Sequence, residues 1–531
     1  MQAAMTEELE QRVCERIAER AGDLVALLQA LIRFDTTTHV PGAPPRQEAA
    51  LQAFLAERLR RAGASVDVGE PDPGLIAGHR MIPEGFTFRG RPQLVARFAG
   101  TGGGRVLLLN GHVEVVDPEP LEAWDHPPFD GVVVDGMVRG RGACDMKGGV
   151  ACMVFAAEVL AELEVRLAGD LLVNTVTEEE STGAGGLVSA RTLTADGAIV
   201  PEPSGLDVWP ACRGSLLAIV TVAGRAGHAG VPPGDPDEGA AVNAIEKMAI
   251  VLQAIVRLRE HWALRHRHRY LSPPDCVPTM VRGGEWIVSY PAACELECHI
   301  EYLPGQADTT GWGSRVEQEF VDWIERAAAT DPWLAAHPPQ IRWRLGGVPP
   351  AEVPDDDPIV RVALEAARSI RRGAEISGMD NWHDGAMLTI EGGIPAVCLG
   401  PGSLSQAHTS AEHVPIADLV ACAQALAVAA LRYCGPAAMA APRSPPGSMS
   451  ATGTSGSRDA LAWVRASNCA DFWAVLRLHE RTNGPHGHET PANFSHRYLQ
   501  EPILTAISTG SRPRPTSVSD RLHQRARHHR P

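Results

Sequence analysis

Helix-like and strand-like patterns alternate along the first part of the chain. Apolar runs at 94–99, 105–110 and 170–176 have the length and continuous hydrophobicity of strands that are buried on both faces. Segments with apolar residues at helical spacing accompany them, at 46–62 and in GGVACMVFAAEVLAEL. Because strands that alternate with helices form sheets covered by those helices, we predict an α/β fold: a mixed, largely parallel sheet with helices on both faces.

The pattern changes after a further predicted strand at 197–203. From Arg213 onward, the strand-like runs SLLAIVTVAG and WIVSYPAACELECHIEYLP alternate with the helical segments EGAAVNAIEKMAIVLQAIVRL and TTGWGSRVEQEFVDWIERAA. This unit has apolar faces of its own, which predicts an α+β domain inserted into the first domain.

The first pattern returns after the insertion. Helices are predicted at 357–371 and 416–434, and the run IPAVCLG at 394–400 predicts a strand. We therefore expect one larger domain that the insertion splits into two parts. The expected first part, inserted domain, second part and tail are 1–212, 213–326, 327–435 and 436–531.

The tail differs in composition from the rest of the chain. Residues 436–458 are rich in Pro, Ser, Gly and Ala, and 436–531 contain 12 arginines, no lysine and six acidic residues. Such a segment is too poor in apolar residues to bury a core. We expect a low-complexity, disordered and basic tail without catalytic chemistry.

Composition limits the classes of function. The whole chain has a net charge of −16, and residues 1–435 carry −22 because the tail is positive. An acidic body argues against a nucleic-acid surface. No run approaches the roughly 18 apolar residues of a membrane span, and the charged N-terminal helix lacks the apolar centre of a signal peptide. Eleven cysteines without CxxC pairs indicate buried thiols in a reducing compartment. We expect a cytoplasmic protein that binds neither nucleic acid nor membrane.

Histidines and carboxylates follow several of the predicted strands. They are His112, Asp145, Glu178, Glu179, Glu180, Glu202 and His408. Ligands of open α/β sheets bind at the carboxyl ends of the strands, so these distant segments can converge on one site. The side chains suit zinc or a similar divalent ion. Taken singly, each also has a structural interpretation: a core histidine, a solvated acidic run, or an N-cap.

A family resemblance favours the metal site. The chain contains, in this order, NGHVEVV, WDHPPFDGVVVDGMVRGRGACDMKGG, TEEES, PEP, GRAGHAG, GIPAVCLGPG and AHTSAEHVPI. These segments resemble the M20 metallopeptidase family of aminoacylases, acetylornithine deacetylases, succinyl-diaminopimelate desuccinylases and glutamate carboxypeptidases. The resemblance covers residues 20–434. It implies a zinc-peptidase-like catalytic domain in two parts, with an inserted lid or dimerisation domain between them.

The resemblance also implies a ligand set for two divalent ions. His112 and Glu202 match the ligands of the first metal, Asp145 matches the bridging carboxylate, and Glu180 and His408 match the ligands of the second metal. Zinc is the expected metal, and cobalt and manganese are the alternatives.

Two catalytic residues follow from the same resemblance. Glu179 matches the general base, because this register fits the family's gap after Asp145. A register in which Glu178 is the base and Glu179 a ligand stays open. His228 resembles a family histidine that stabilises the oxyanion, in many members from the other subunit of a dimer. Its alternative interpretation is a surface histidine in a glycine-rich loop.

Some positions depart from the family pattern. Glu114 stands where relatives have an aspartate, and we expect it to orient His112 from behind. Many relatives carry an arginine for the substrate carboxylate at a position near which this chain has Glu301 or His299. They also carry an asparagine in the region where this chain has Trp286. Recognition of a substrate carboxylate is therefore an open question. Asp380 matches a late family aspartate and either supports a metal ligand or caps a turn.

The expected function is that of a metal-dependent amide hydrolase. The first hypothesis is a deacylase that acts on a small N-acylated amino acid or related amine, with a homodimer formed through the inserted domain. A di- or tripeptidase or a carboxypeptidase of the same family is the second. The third, a catalytically inactive metal-binding scaffold, is disfavoured because all five ligand positions and Glu179 are present.

Overall fold

The structure is a computed structural model that describes residues 2–38, 44–232 and 234–436. The prediction of a disordered tail concerns residues beyond 436 and lies outside the described residues. The helices are α1 (Gln2–Glu19), α2 (Ala21–Ile32), α3 (Glu48–Arg61), α4 (Lys147–Glu162), α5 (Ala184–Thr192), α6 (Ala244–Arg265), α7 (Ser314–Ala328), α8 (Pro332–Ala336), α9 (Pro358–Ile370), α10 (Gly385–Ile390) and α11 (Ile416–Cys434).

The strands are β1 (Ser65–Gly69), β2 (Gln93–Phe98), β3 (Leu107–His112), β4 (Val132–Val134), β5 (Met137–Arg139), β6 (Leu171–Val176), β7 (Gly197–Val200), β8 (Ala211–Cys212), β9 (Gly214–Ala223), β10 (Gly227–His228), β11 (Asp275–Gly283), β12 (Ser289–Tyr290), β13 (Ala293–Tyr302), β14 (Gln340–Trp343), β15 (Ala351–Glu352), β16 (Ala396–Cys398) and β17 (His413–Pro415).

The main sheet has six strands in the order β1-β2-β6-β3-β7-β16. The neighbours β6, β3, β7 and β16 run parallel, and β2 and β1 add an antiparallel edge. Every residue of β3, β6 and β7 is buried. The predicted mixed, largely parallel sheet is confirmed. Its parallel strands bring the residues after their carboxyl ends to one edge of the sheet.

Helices cover both faces of this sheet. One group, α4, α9 and α11, packs together against β3, β6, β7 and β16. A second group, α5 and α10, packs together and contacts β6, β7 and β16. In α4 every residue from Lys147 to Ala157 is buried, which identifies α4 as a core helix.

The N-terminal segment forms two helices where one was predicted. The helical backbone breaks at Arg20, whose φ and ψ are −100° and 20°, just before the poor helix former Gly22. The Arg20 side chain bonds Asp23 and Glu162 at the break. Arg16 also pairs with Glu162, at 2.5 Å, so the end of α4 fixes the junction.

α11 is long and apolar enough to cross a membrane by length and composition alone. In the structure most of this helix is buried, and it packs against α1, α4 and α9. Those contacts are typical of a core helix.

A second sheet, in the order β11-β13-β9-β14, is antiparallel. Alternate residues of β13 are buried, with Leu296 and Ile300 pointing to one face and Glu297 and His299 to the other. The buried face joins Trp262 of α6 and residues of α7 in a core separate from that of the main sheet. A strand with one buried face shows this alternation.

The smaller sheet extends beyond the expected limit at residue 326. Gln340–Trp343 pairs with β9, and Trp333 and Leu334 of α8 belong to the core of the smaller sheet. The strand β11 was not predicted. It is an edge strand with mostly exposed residues and a bulge after Pro278, so its sequence lacks the apolar alternation of a core strand. The division of the chain into these four segments stays a prediction.

The core of the smaller sheet provides a stability test. Replacing the fully buried Phe320 of α7 with alanine should destabilise this core by about 3–5 kcal/mol, because the lost packing leaves a cavity. Urea unfolding monitored by tryptophan fluorescence measures the change. The exposed Glu325 on the same helix is the control, and Glu325→Ala should stay within about 0.5 kcal/mol of the wild type. Equal stability of the two variants would contradict the assigned core.

Candidate metal centre

Five of the predicted side chains meet at the carboxyl edge of the main sheet. The Nε2 atom of His112 lies 3.2 Å from Oδ1 of Asp145 and 3.7 Å from Oε1 of Glu202. On the other side of Asp145, Oδ2 lies 3.3 Å from Nε2 of His408, which is 3.0 Å from Oε1 of Glu180. Asp145 therefore links two groups of ligand atoms.

Each group has the composition of a metal site. The ligand atoms of His112, Asp145 and Glu202 lie within 4.8 Å of one another, and so do those of Asp145, Glu180 and His408. Imidazole nitrogens and carboxylate oxygens are the ligands that zinc and similar ions use. The arrangement fits two cations that share the carboxylate of Asp145.

The electrostatics of the cluster also favour cations. Burial and the neighbouring Asp145 raise the pKa of Glu202 well above its usual range, and burial with Glu180 and Glu202 does the same for Glu179. Hydrogen bonds to Asp145 and Glu180 raise the pKa of His408 to about 10. Cations at these positions would supply the positive charge that protons otherwise provide.

Glycines bring the loop of Asp145 close to the ligand Glu202. A Cβ atom on Gly149 would lie 2.0 Å from the carbonyl oxygen of Pro201, the residue before Glu202. A Cβ on Gly148 would lie 2.4 Å from the carbonyl oxygen of Ala143. The glycines after Asp145 thus permit the start of α4 to pack directly on the end of β7.

Glu114 does not make the contact predicted for it. Nδ1 of His112 lies 3.0 Å from the backbone carbonyl oxygen of Glu114, whereas the nearer carboxylate oxygen is 3.9 Å away. That carboxylate accepts hydrogen bonds from the backbone N–H groups of Glu179 and, at 3.2 Å, of Glu180. The longer side chain reaches past the imidazole, so the backbone carbonyl sets the tautomer that leaves Nε2 free for a metal.

Glu178 points to a different partner from its two neighbours. One carboxylate oxygen lies 2.8 Å from the guanidinium of the buried Arg91, and the other accepts from Ser181 at 2.5 Å and Thr182 at 3.2 Å. Its backbone is in the left-handed region, with φ of 74°. The geometry therefore favours the register in which Glu179 and Glu180 face the metal ligands.

Asp380 takes the turn-capping role that was one of its two expected roles, and a second aspartate of the same segment, Asp384, is buried. The Asp380 carboxylate accepts from the N–H of Ser272, at 2.7 Å, and from the Ser272 hydroxyl, so it caps that turn. The fully buried carboxylate in this segment is Asp384, and neither of its oxygens accepts a hydrogen bond from the described residues. Burial and the charge of Glu114 raise the pKa of Asp384 to about 8. The second aspartate in SGMDNWHDG was the signal that sequence reasoning passed over.

His228 lies apart from the cluster within one chain. It is exposed on β10, which pairs with β12 in a two-stranded antiparallel sheet, and its Nδ1 accepts from the N–H of Gly230 at 3.0 Å. It is absent from the described residues that line the cleft beside the metal ligands.

The cleft combines the metal ligands with an apolar wall. Met81, Met379, Trp382 and Leu404 come from the larger domain. The smaller sheet adds further lining residues, which are Ser215, Leu217 and Arg344. A substrate bound at the metal centre would therefore contact elements of both sheets.

Positions that bear on a substrate carboxylate are already paired. Glu301 lies 2.6 Å from the guanidinium of Arg213, which also donates to the backbone carbonyl of Asp380. His299 bonds the Ser215 hydroxyl at 2.9 Å. Trp286 is 68% exposed and does not line the cleft. Among the described residues that line the cleft, Arg344 is the one arginine, and no lysine lines it.

Sequence reasoning missed the buried ion pair between Arg141 and Glu412 beside Asp145, at 2.6 Å. Glu412 follows His408 by four residues and Arg141 precedes Asp145 by four, which is the signal that could have found them.

Two groups of ligand atoms that share one carboxylate are typical of hydrolases with a dinuclear metal centre. The family described as Peptidase family M20/M25/M40 matches residues 108–432, more than half of the chain. The chain belongs to this family, whose hydrolases act on amide bonds.

Relatives support the same assignment over their whole length. The chain is 30% identical to the N-formyl-4-amino-5-aminomethyl-2-methylpyrimidine deformylase of Halalkalibacterium halodurans, over 78% of this chain and 94% of the relative. It is 31% identical to the acetylornithine deacetylase of Myxococcus xanthus, over 78% and 98%. The solved structure of human carnosine dipeptidase 1 has a TM-score of 0.60 at 16% identity, covering 80% of this chain and 99% of that one. That structural likeness shows the fold.

Replacing either histidine of the cluster should remove a metal ligand. In His408→Ala or His112→Ala, the affinity for one of two added zinc ions should fall by more than about 100-fold. Loss of a residue that only hydrogen-bonds a metal ligand already costs about 10–100-fold, and these variants lose the ligand itself. Metal titration with elemental analysis measures this loss. His126→Ala, at an exposed histidine, is the control and should bind as the wild type does. Unchanged stoichiometry and affinity in both cluster variants would contradict the site.

Proposed function

We propose that the protein is a deacylase that removes a small acyl group from an N-acylated amine or amino acid. The observation that carries the proposal is the pair of ligand groups sharing Asp145, with the Glu179 carboxylate 3.9 Å from His112 Nε2 at the same cleft. The relatives named as deformylase and deacetylase, which this chain matches over 94% and 98% of their lengths, support the deacylase over other amide hydrolases.

In this proposal His112 and Glu202 would hold one ion, Glu180 and His408 would hold the other, and the Asp145 carboxylate would be shared between the two. The chemistry that such ions would supply is a lowered pKa for a water molecule and polarisation of the scissile carbonyl. Zinc is the proposed metal, supported by the mixture of imidazole and carboxylate ligands, with cobalt and manganese as alternatives.

Glu179 is the proposed general base. It accepts a proton from the attacking water and passes it to the leaving amine. Burial and the charges of Glu180 and Glu202 raise its pKa, which increases its affinity for that proton. Glu178 is less suited to the role, because its carboxylate bonds Arg91, Ser181 and Thr182.

The pairing of Arg213 with Glu301 favours an acylated amine over a peptide with a free carboxyl terminus. A carboxylate on the substrate needs a cation that is not already neutralised, and Arg213 lies 2.6 Å from Glu301. One observation keeps the peptidase or carboxypeptidase as the second candidate. Arg344 lines the cleft, and its side chain is 61% exposed despite a 3.3 Å contact to Glu297.

An activity screen tests the proposed function. The zinc-, cobalt- or manganese-loaded protein should release amine from N-formyl, N-acetyl or N-succinyl substrates faster than it cleaves dipeptides. Glu179→Gln should lower kcat by about 10²–10⁴-fold, because the base is lost, while it still binds metal. Glu178→Gln is the comparison variant and should keep more activity if it remains folded.

Two results would change the assignment. Cleavage of dipeptides alone would move it to a peptidase. Full activity of Glu179→Gln, with a folded but inactive Glu178→Gln, would shift the register by one residue.

We also propose a homodimer formed through the inserted domain. Trp286, Ile287 and Val288 form an exposed apolar loop, with exposures of 68%, 93% and 44%. Val288 accepts a hydrogen bond at 2.8 Å from the N–H of Ala229, next to His228. Exposed apolar patches of this kind mark interfaces. A subunit contact at this loop would place the neighbouring His228 at the interface, from which we propose that it reaches the cleft of the other subunit.

Complementation tests this dimer. Glu179→Gln and His228→Ala should each have low activity alone and recover activity when mixed, because a mixed dimer contains one site with both native residues. Light scattering should show that Ile287→Asp lowers the dimer fraction, with Glu325→Ala as a surface control. Full activity of a monomeric wild-type protein would overturn the dimer.

A cytoplasmic location remains part of the proposal. The ten cysteines within the described residues are free thiols, and nine of them are buried, which is the state that a reducing compartment maintains.

A further inference from the structure

Glu412 is a buried carboxylate bound to the backbone of the Asp145 loop. Its side chain is 1% exposed. Oε1 accepts hydrogen bonds from the backbone N–H groups of Cys144, at 2.9 Å, and of Asp145, at 3.1 Å. Glu412 stands four residues after His408, so it connects the segment of one metal-site residue to the backbone of another.

Arg141 supplies the positive charge for this carboxylate. Its Nη1 donates to Oε2 of Glu412 at 2.6 Å and to the backbone carbonyl of Thr409, the residue after His408, at 3.3 Å. The guanidinium lies 5.1 Å from the ring centre of Trp124, and Arg141 is 2% exposed. Arg141 is in the same loop as Asp145, and Glu412 is in the segment of His408. The ion pair therefore connects the Asp145 loop to the His408 segment.

The same segments meet a second time through their backbones. The N–H of Gly140 donates to the carbonyl of Glu412 at 3.1 Å. The strand β5, which ends just before Gly140, pairs with β17, which begins just after Glu412. His408 itself has a left-handed backbone, with φ of 62°, and its side chain is 50% exposed. Few contacts of its own side chain fix the position of this histidine, so its spacing from Asp145 depends on the connection between the segments.

We propose that Glu412, with Arg141 as its counter-ion, is a positioning residue that fixes the distance between Asp145 and His408. This inference rests on the proposed function, in which these two residues hold the same metal ion. A metal site tolerates displacements of only about 0.5 Å, so a carboxylate that anchors two consecutive amides controls whether both ligands reach one ion. Charge strengthens those hydrogen bonds, because an ionised acceptor binds N–H groups more tightly than a neutral one.

Glu114 makes the same kind of contact to the segment that contains Glu179 and Glu180. Its carboxylate accepts from the backbone N–H groups of Glu179 and Glu180, as that of Glu412 does from those of Cys144 and Asp145. Two buried glutamates thus each anchor two consecutive amides beside proposed metal-site carboxylates. A role in general stability alone would not require this common placement.

The test compares Glu412→Gln with a matched change at a remote ion pair. Glu10 pairs with Arg432 at 2.7 Å between α1 and α11, so Glu10→Gln makes the same chemical change away from the site. Cobalt titration followed by visible absorption measures the affinities for the first and second ions, and thermal melting of the metal-free proteins measures folding. A metal-loaded assay separates kcat from KM.

We expect Glu412→Gln to bind the second ion about 10–100-fold more weakly and to lose kcat, with KM changed by less than about threefold. Glu10→Gln should melt earlier without a change in either metal affinity. Glu412→Asp keeps the charge but shortens the reach, and it should show the same selective loss. It serves as the test if Glu412→Gln does not fold.

Wild-type affinities for both ions in a folded Glu412→Gln or Glu412→Asp variant would overturn the inference and leave the proposed function standing. Equal weakening in Glu10→Gln would overturn it also, since the effect would then be one of stability. A wild-type protein that binds fewer than two cobalt ions would overturn the proposed function and this inference together.

Discussion

The central physical constraint is the confinement of like charges at one edge of the sheet. Asp145, Glu179, Glu180 and Glu202 bring four carboxylates to one cleft, and a carboxylate without a partner is costly to bury. Two histidines at 3.0–3.7 Å from three of these carboxylates compensate part of the charge. Two divalent cations would balance the remaining negative charge, and the surrounding residues hold the carboxylates in place against their mutual repulsion.

That task falls mainly to the backbone. Gly149 permits α4 to approach Pro201 and so places Asp145 near Glu202. The carboxylates of Glu114 and Glu412 accept backbone N–H groups of the neighbouring segments. The proposed metal-site residues Asp145, Glu179 and Glu180 are therefore held by the buried carboxylates of Glu412 and Glu114. These contacts join segments that are distant in the sequence.

The sequence predicted the largely parallel sheet and its covering helices, because buried strands and amphipathic helices have local signals. The positions after the strands gave a wider set of histidines and carboxylates, and the family resemblance selected from it the five residues that converge. The sequence did not predict β11, an exposed edge strand, or the extension of the smaller sheet to Trp343. Of the two roles expected for Asp380, the structure shows the turn cap, and the buried carboxylate of the segment is Asp384, four residues later. The sequence also did not predict that the Glu114 carboxylate accepts from the N–H groups of Glu179 and Glu180. The one additional methylene of glutamate carries the carboxylate past His112 to these donors.

The order of the ligands along the chain has a consequence for biosynthesis. His112 and Asp145 emerge from the ribosome early, but His408 and Glu412 follow only after every strand of the smaller sheet has been made. A nascent or truncated chain that ends before residue 408 carries the acidic cluster without its last imidazole. A complete ligand set therefore exists only in chains that extend through His408, which comes late in the order of synthesis.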